Sequence, residues 1–142
     1  MKLSTRGRYD IHAMFDLAVH YQENEPQSIK QIAERQTIPE AYLEQLIASL
    51  RKEGLVNSLR GAQGGYTLSR PPEEITVGQV LRCLEGEFTP ADCFLEEDTC
   101  GKSCVCPTRI VWQKLRDGIN EIVDGITLKD MVNDDERLRA KE

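Results

Sequence analysis

The stretch SIKQIAERQTIPEAYLEQLIASLRKEGLVNSLRGAQGGYTLSR, residues 28–70, decides the fold. Ser28-Ile29-Lys30-Gln31 has the form of a capping box, in which the Ser hydroxyl and the Gln side chain each satisfy an orphan backbone N–H; Ile29, Ile32 and Ala33 follow on one face of a short helix. Thr37-Ile38-Pro39-Glu40 reads as a second box that opens another helix, with Pro39 in its first turn, where a missing N–H costs little. Leu43, Leu46, Ile47 and Leu50 form the buried stripe of that helix, and Gly54 ends it as a left-handed cap. The period then changes. Leu55 to Leu59 alternates as a strand, GAQGG at 61–65 is a glycine turn, Tyr66 to Ser69 returns as a second strand, and Pro71-Pro72 closes the hairpin.

Working outward, residues 5–21 carry Tyr9, Met14, Leu17, Ala18 and Tyr21 at helical spacing, and Glu23 to Gln27 supply a polar break. Thr76-Val77-Gly78-Gln79 caps a helix with Val77, Val80, Leu81 and Leu84 inward. Pro107 opens a long helix to about Asp124, whose Val111, Leu115, Ile119, Ile122 and Val123 form a seam. A last helix is capped at Thr127 and holds Leu128, Met131 and Val132, and Asn133 to Glu142 reads as a frayed polar tail. Helix, helix, helix, strand, strand is the order of a winged helix-turn-helix. The expected fold is mainly α with a small β wing: a DNA-binding domain over residues 1–85, a cysteine-rich loop at 86–106, a long helix at 107–126 and a C-terminal helix and tail at 127–142.

The chain has 142 residues, 39% hydrophobic and 30% charged, which suits one folded domain with an appendage rather than disorder. No stretch approaches the roughly 18 apolar residues of a membrane span, and MKLSTRGRYD holds no apolar core of a secretory signal. The expected compartment is the cytoplasm. The net charge of -6 is unevenly placed: net +1 up to Arg70 and net -7 from Pro71 onward. The positive side chains of the first half gather at Lys2/Arg6/Arg8 and at Arg51/Lys52/Arg60/Arg70, which form either a stripe for DNA, if the fold brings them together, or an ordinary solvated charged face. The cysteines are placed more unevenly still. Cys83 stands alone on an apolar helix face, as a small core residue, while Cys93, Cys100, Cys104 and Cys106 fall within one loop. In a reducing cytosol such a cluster points to metal ligation or redox chemistry before a disulfide framework.

In a helix-turn-helix the second paired helix enters the major groove with its N-terminal residues facing base edges. With the apolar stripe inward, Glu40, Ala41, Tyr42, Glu44 and Gln45 are left for the outer face. Gln45 can bond bidentately to adenine; Glu44 can accept from a cytosine amino group and repel other edges. Arg60 sits just before the hairpin turn, where an Arg can enter a minor groove, and the glycines permit close backbone approach to phosphate. No Lys-Ser/Thr follows Gly64-Gly65, which excludes a phosphate-binding P-loop. The expected DNA-contacting set is Lys2, Arg8, Ala41, Tyr42, Glu44, Gln45, Arg51, Arg60, Gly64 and Gly65.

Met1 to Tyr9, Tyr42-Leu43-Glu44-Gln45-Leu46, Leu50 to Val56, Arg60-Gly61-Ala62-Gln63-Gly64-Gly65-Tyr66, Ile75 to Val80 and Thr127-Leu128 closely resemble the IscR/CymR/NsrR family of bacterial winged-helix repressors. The resemblance covers essentially the whole chain. It implies a homodimeric transcription factor, not an enzyme, whose long helix pairs with its twofold mate on a pseudo-palindromic operator of double-stranded DNA. Within the family, IscR-like members carry a 2Fe-2S cluster on three cysteines and a histidine, NsrR-like members a nitric-oxide-sensitive cluster, and CymR-like members none.

By this resemblance Cys93, Cys100 and Cys106 are the metal ligands of an iron-sulfur cluster that senses cluster status or redox or nitric oxide stress. The sequence departs from the family at the fourth ligand: Arg109 stands where IscR has its histidine, and an always-protonated guanidinium cannot replace it. Cys104 and His12 of the partner subunit are the two candidates for that place. Zinc, a thiol switch and a cluster-free, CymR-like repressor of cysteine or sulfur metabolism controlled by a protein partner stay open beside the cluster. Cluster-assembly or cysteine-synthesis proteins are the further partners the resemblance implies.

Overall fold

The structure, a computed structural model, describes residues 5–88 and 106–141. Its helices are α1 (Thr5–Val19), α2 (Ile29–Gln36), α3 (Glu40–Lys52), α4 (Val77–Glu85), α5 (Pro107–Asp124) and α6 (Leu128–Arg139). Between α3 and α4 stand β1 (Val56–Leu59), β2 (Gly65–Leu68) and a 3-10 turn at Pro72–Glu74. The expected fold class holds: helices around one small antiparallel wing.

Three helix starts form as their local chemistry dictates. Ser28 with Gln31, Thr76 with Gln79 and Thr127 with Asp130 each make both halves of a capping box. The expected box at Thr37 does not form. Thr37 instead takes a left-handed conformation, φ 56°, and closes α2, while Ile38 donates its N–H to Ala33 O at 3.1 Å and buries its side chain. Pro39 becomes the N-cap of α3 rather than a residue of its first turn. The reason is competition for one short turn: two helices joined this tightly need a backbone reversal, and the Schellman-type bond to Ala33 with buried Ile38 supplies it where a side-chain cap cannot. At the far end of α3 Gly54, φ 79°, is the left-handed cap expected of it.

The wing pairs Val56 with Leu68, Asn57 with Thr67, Ser58 with Tyr66 and Leu59 with Gly65. Alternation places Val56 and Leu68 in the core, against Met14, Ile32 and Leu50. The core then extends past the expected domain boundary. Leu128, wholly buried, donates its N–H to Ile75 O at 2.9 Å, and Val77 donates to Ile126 O at 2.8 Å, so the start of α6 is stitched to the start of α4. Burying a leucine contributes about 1.5–3 kcal/mol. The supposed tail is also structured: α6 continues to Arg139, with Arg137 paired to Asp134 at 2.7 Å and Arg139 to Asp135 at 2.9 Å. Opposite charges three and four residues apart support a polar helix that has little to bury.

Candidate nucleic-acid interface and cysteine site

α3 divides as a reading helix should. Leu43, Leu46, Ile47 and Leu50 are buried, and Glu40, Ala41, Glu44, Gln45 and the last-turn pair Arg51/Lys52 are exposed. Tyr42 departs from the outer face expected of it: it is half-buried, with its ring edge-on to Tyr9 at 5.4 Å between centroids. Its position one step from Leu43 turns it toward α1, where a large aromatic surface gains more from packing than from water. Arg8 on α1 and Arg60 at the end of β1 are exposed. Lys2 lies outside the described residues.

The hairpin tip needs its glycines. A Cβ on Gly64 would fall onto the carbonyl oxygen of Leu59 and within 3.0 Å of Gly61 O. One on Gly65 would stand 2.7 Å from the main-chain oxygen of Gln27. That second contact exists because Gln27 and Tyr66 form an isolated bridge, Gln27 N–H to Tyr66 O at 2.9 Å and Tyr66 N–H to Gln27 O at 2.8 Å. The wing therefore hangs on the segment that leads into α2.

Beneath it lies a polar network that sequence reasoning missed. Asp16, with a side chain only 1% exposed, accepts from Arg35 Nε at 2.9 Å, Arg35 Nη2 at 2.8 Å and Gln36 Nε2 at 3.0 Å. Hydrogen bonding to Asp16 holds the Arg35 guanidinium above its ordinary pKa, against the opposing effect of burial. The signal available was an acid set among Ala13, Met14 and Leu17, all buried on α1. A charge on a core-facing stripe requires a partner.

α4 is the connector. Glu85 accepts from Gly7 N–H at 3.1 Å, which ties it to α1, and the Cys83 thiol faces Ser49 O of α3 at 3.7 Å. On its other side Arg82 pairs with Asp124 near the end of α5. Gly78 makes room for that pair, since a Cβ there would fall onto Asp124 Oδ1. Cys83 packs partly against the core, as expected; burial, with Asp10 and Glu53 nearby, pushes its thiol up to about 11, so it stays protonated at neutral pH.

Of the three cysteines assigned to metal, only Cys106 is among the described residues; Cys93, Cys100 and the alternative Cys104 are not. Cys106 is the N-cap of α5, with Sγ 2.8 Å from Thr108 Oγ1. The positive end of an 18-residue helix is a favourable place for a thiolate ligand. His12 is exposed on α1, whereas His20 donates from Nδ1 to Asp16 O at 2.9 Å. Among the described residues no group of three or more His, Cys, Asp or Glu side chains is gathered as a metal site.

α5 buries none of its residues, and Ile110, Val111, Trp112, Leu115 and Ile122 are 37–63% exposed. Apolar side chains are scattered singly on most surfaces; five on one helix form a surface suited to a second protein. No helix of the described residues is long and apolar enough to cross a membrane.

Residues 3–134 match the family Rrf2, described as "Iron-dependent Transcriptional regulator". The transcriptional regulator CymR of Bacillus subtilis is 42% identical over 94% of this chain and 91% of its own. Its solved structure, that of a global cysteine regulator, has a TM-score of 0.78 at 41% identity, covering 94% of this chain and 97% of that one. The solved structure of T. potens IscR has a TM-score of 0.81 at 48% identity, covering 97% of this chain and 90% of the other.

Proposed function

The chain belongs to the Rrf2 family of DNA-binding transcriptional regulators, and from that premise we propose that it is a homodimeric repressor whose cysteine loop holds an iron-sulfur cluster, of the 2Fe-2S type. The observation that carries this reading is the position of Cys106: it begins α5, whose end is tied through Arg82 and Asp124 to α4, and α4 packs on both α1 and the reading helix. A side chain anchored at Cys106 thus connects to α3 through packed helices and named bonds. Cys93, Cys100 and Cys106 would hold the cluster, with Cys104 or His12 of the partner subunit as the fourth ligand. Such a cluster, when bound, supplies a centre that reacts with oxidants and nitric oxide and depends on iron and sulfide supply. The chemistry of the one described donor fits, since Cys106 stands at the N-terminus of α5, where the helix dipole favours a thiolate.

The protein's own side chains supply the rest. The exposed apolar face of α5 pairs with its twofold mate, so that two copies of α3 meet successive major grooves of a pseudo-palindromic operator. Arg8, Arg51 and Arg60 hold phosphate and groove, and Ala41, Glu44 and Gln45 meet base edges. Glu44 specifies by exclusion, because a carboxylate beside phosphates is tolerated only where the correct base satisfies it. Glu44→Ala should therefore bind correct and incorrect sites more nearly alike, lowering their affinity ratio by about tenfold. An unchanged ratio, in competition between duplexes selected from a randomised pool, would remove Glu44 from the specificity set.

The cluster is tested by purifying the protein without oxygen from iron-replete cells. Visible absorption with bound iron and acid-labile sulfide is expected, lost in Cys106→Ala and bleached by nitric oxide. The similarity to CymR favours a second reading, a cluster-free repressor governed by a protein partner. A colourless parent protein without iron or sulfide would overturn the cluster and favour the cluster-free reading.

A further inference from the structure

We infer that Arg35 and Gln27 are positioning residues for the wing: the guanidinium that neutralises buried Asp16 also fixes Gln27, from whose backbone β2 hangs, and so sets where Arg60 stands relative to α3. The inference rests on the reading that Arg60 contacts DNA.

The argument begins at Asp16. A carboxylate enclosed in the α1 face must be compensated, and Arg35 does so with two parallel bonds, Nε at 2.9 Å and Nη2 at 2.8 Å. A fork held at two points has no freedom left to turn. Its Nη2 then donates a further bond, 2.6 Å, to Gln27 Oε1, while Gln27 Nε2 donates to Glu25 O at 3.0 Å. Gln27 is thus gripped at both ends of its amide and is only 4% exposed. Its main chain has one further task. Both its N–H and its C=O are used in the bridge to Tyr66, and Gly65 beside that bridge lacks the side chain that would separate the two segments.

Tyr66 stands opposite Ser58 in the hairpin, and Arg60 lies two residues beyond Ser58, about 7 Å farther along the strand. Play at the Gln27 bridge is therefore magnified at the tip. A two-stranded ribbon is weakly held by its own ladder and takes its direction from what it is docked against. Here that support is Gln27, in the segment that leads into α2, locked by the same arginine that joins α1 to α2. Groove contacts by Arg60 need placement to within a fraction of an ångström in donor-acceptor distance, which is the tolerance the strut would supply.

The test is a double-mutant cycle between Gln27→Met and Arg60→Ala, read as affinity for a duplex that the parent protein selects from a randomised pool. Methionine keeps the length and loses both polar ends, while the Asp16–Arg35 pair stays whole. In the parent, Arg60→Ala should weaken binding about tenfold and lower the salt dependence. In the Gln27→Met background the same change should cost about threefold or less, because a wing no longer aimed has less to lose. A Gln27 that served stability alone would lower the melting temperature and leave the Arg60→Ala ratio unchanged, and that result overturns the inference. Failure of the wing reading looks different: Arg60→Ala is then silent in the parent protein itself. Hydrogen exchange gives an independent measure, since the Tyr66 amide should exchange about tenfold faster in Gln27→Met. Equal rates in the two proteins would again overturn the strut.

Discussion

Replacing Arg35 with Met should destabilise the protein by about 3 kcal/mol, a large share of the 5–15 kcal/mol that separates a typical folded domain from its unfolded chain. The magnitude follows from what remains. Asp16 stays buried at 1% side-chain exposure, keeps its bond to Gln36, and loses both bonds to the guanidinium. Breaking a buried ion pair from one side costs about 3–5 kcal/mol, and the lower end applies because Arg35 is 34% exposed and water can reach the space it leaves. Removing both charges together is a different matter. The double replacement Asp16→Leu/Arg35→Met should recover more than half of the loss, since no uncompensated charge remains, although Gln27 Oε1 still lacks the donor Arg35 gave it. Urea denaturation at one fixed protein concentration measures both, the fixed concentration being needed because dimerisation adds to apparent stability. A single variant within about 1 kcal/mol of the parent would mean that Asp16 is compensated by something other than Arg35.

That network explains why part of the molecule was legible in the sequence and part was not. The caps at Ser28, Thr76 and Thr127 are local, and all three form, each as a box between residues three apart. The α3 stripe and the left-handed Gly54 are equally local, and the hairpin forms where the glycine turn stands, with Gly65, read as part of that turn, serving instead as the first residue of β2 opposite Leu59. The failure at Thr37 is of another kind. Thr37-Ile38-Pro39-Glu40 satisfies a local pattern, but Ile38 must also reach the core and the chain must reverse between α2 and α3, and these demands fall on the same residues. Tertiary need prevailed over the cap. Tyr42 is half-buried rather than fully outward for the same reason, because nothing within its own helix shows that Tyr9 of α1 lies beside it.

Asp16, Arg35 and Gln27 lie up to 19 residues apart, and only the packing of α1 on α2 reveals them as one unit. The α6 pairs Asp134–Arg137 and Asp135–Arg139, by contrast, are visible in the sequence as three- and four-residue spacings, which hold the polar end of the chain helical where its polarity alone suggests fraying. The surface residues of α3 and of the wing tip were readable because a DNA-reading helix is defined by what its apolar stripe leaves outside. Their role beyond exposure depends on a partner, which no intramolecular contact encodes.

Gly65→Val should detach the wing and lower affinity for a selected operator duplex by about thirtyfold, with a stability loss of about 2–3 kcal/mol. The Cβ would lie 2.7 Å from Gln27 O, 2.8 Å from Gln27 C and 3.1 Å from Gln27 N. Those atoms are main chain, so no side-chain rotation relieves the contact; β2 or the segment before α2 must move. Either movement breaks the two Gln27–Tyr66 bonds of 2.8 and 2.9 Å, each worth about 1 kcal/mol net, and the residue's φ of +154° adds strain for a β-branched side chain. Gly61 provides the comparison. It also has a positive φ, +112°, but a Cβ there meets nothing within 4 Å, so Gly61→Ala should show only the backbone penalty of about 1–3 kcal/mol and leave Gln27 bridged to Tyr66. The two variants thus separate a flexible tip from a docked base. If Gly61→Ala and Gly65→Val weakened operator binding equally, the docking of β2 on Gln27 would have no part in DNA recognition, and the wing would act through its turn alone.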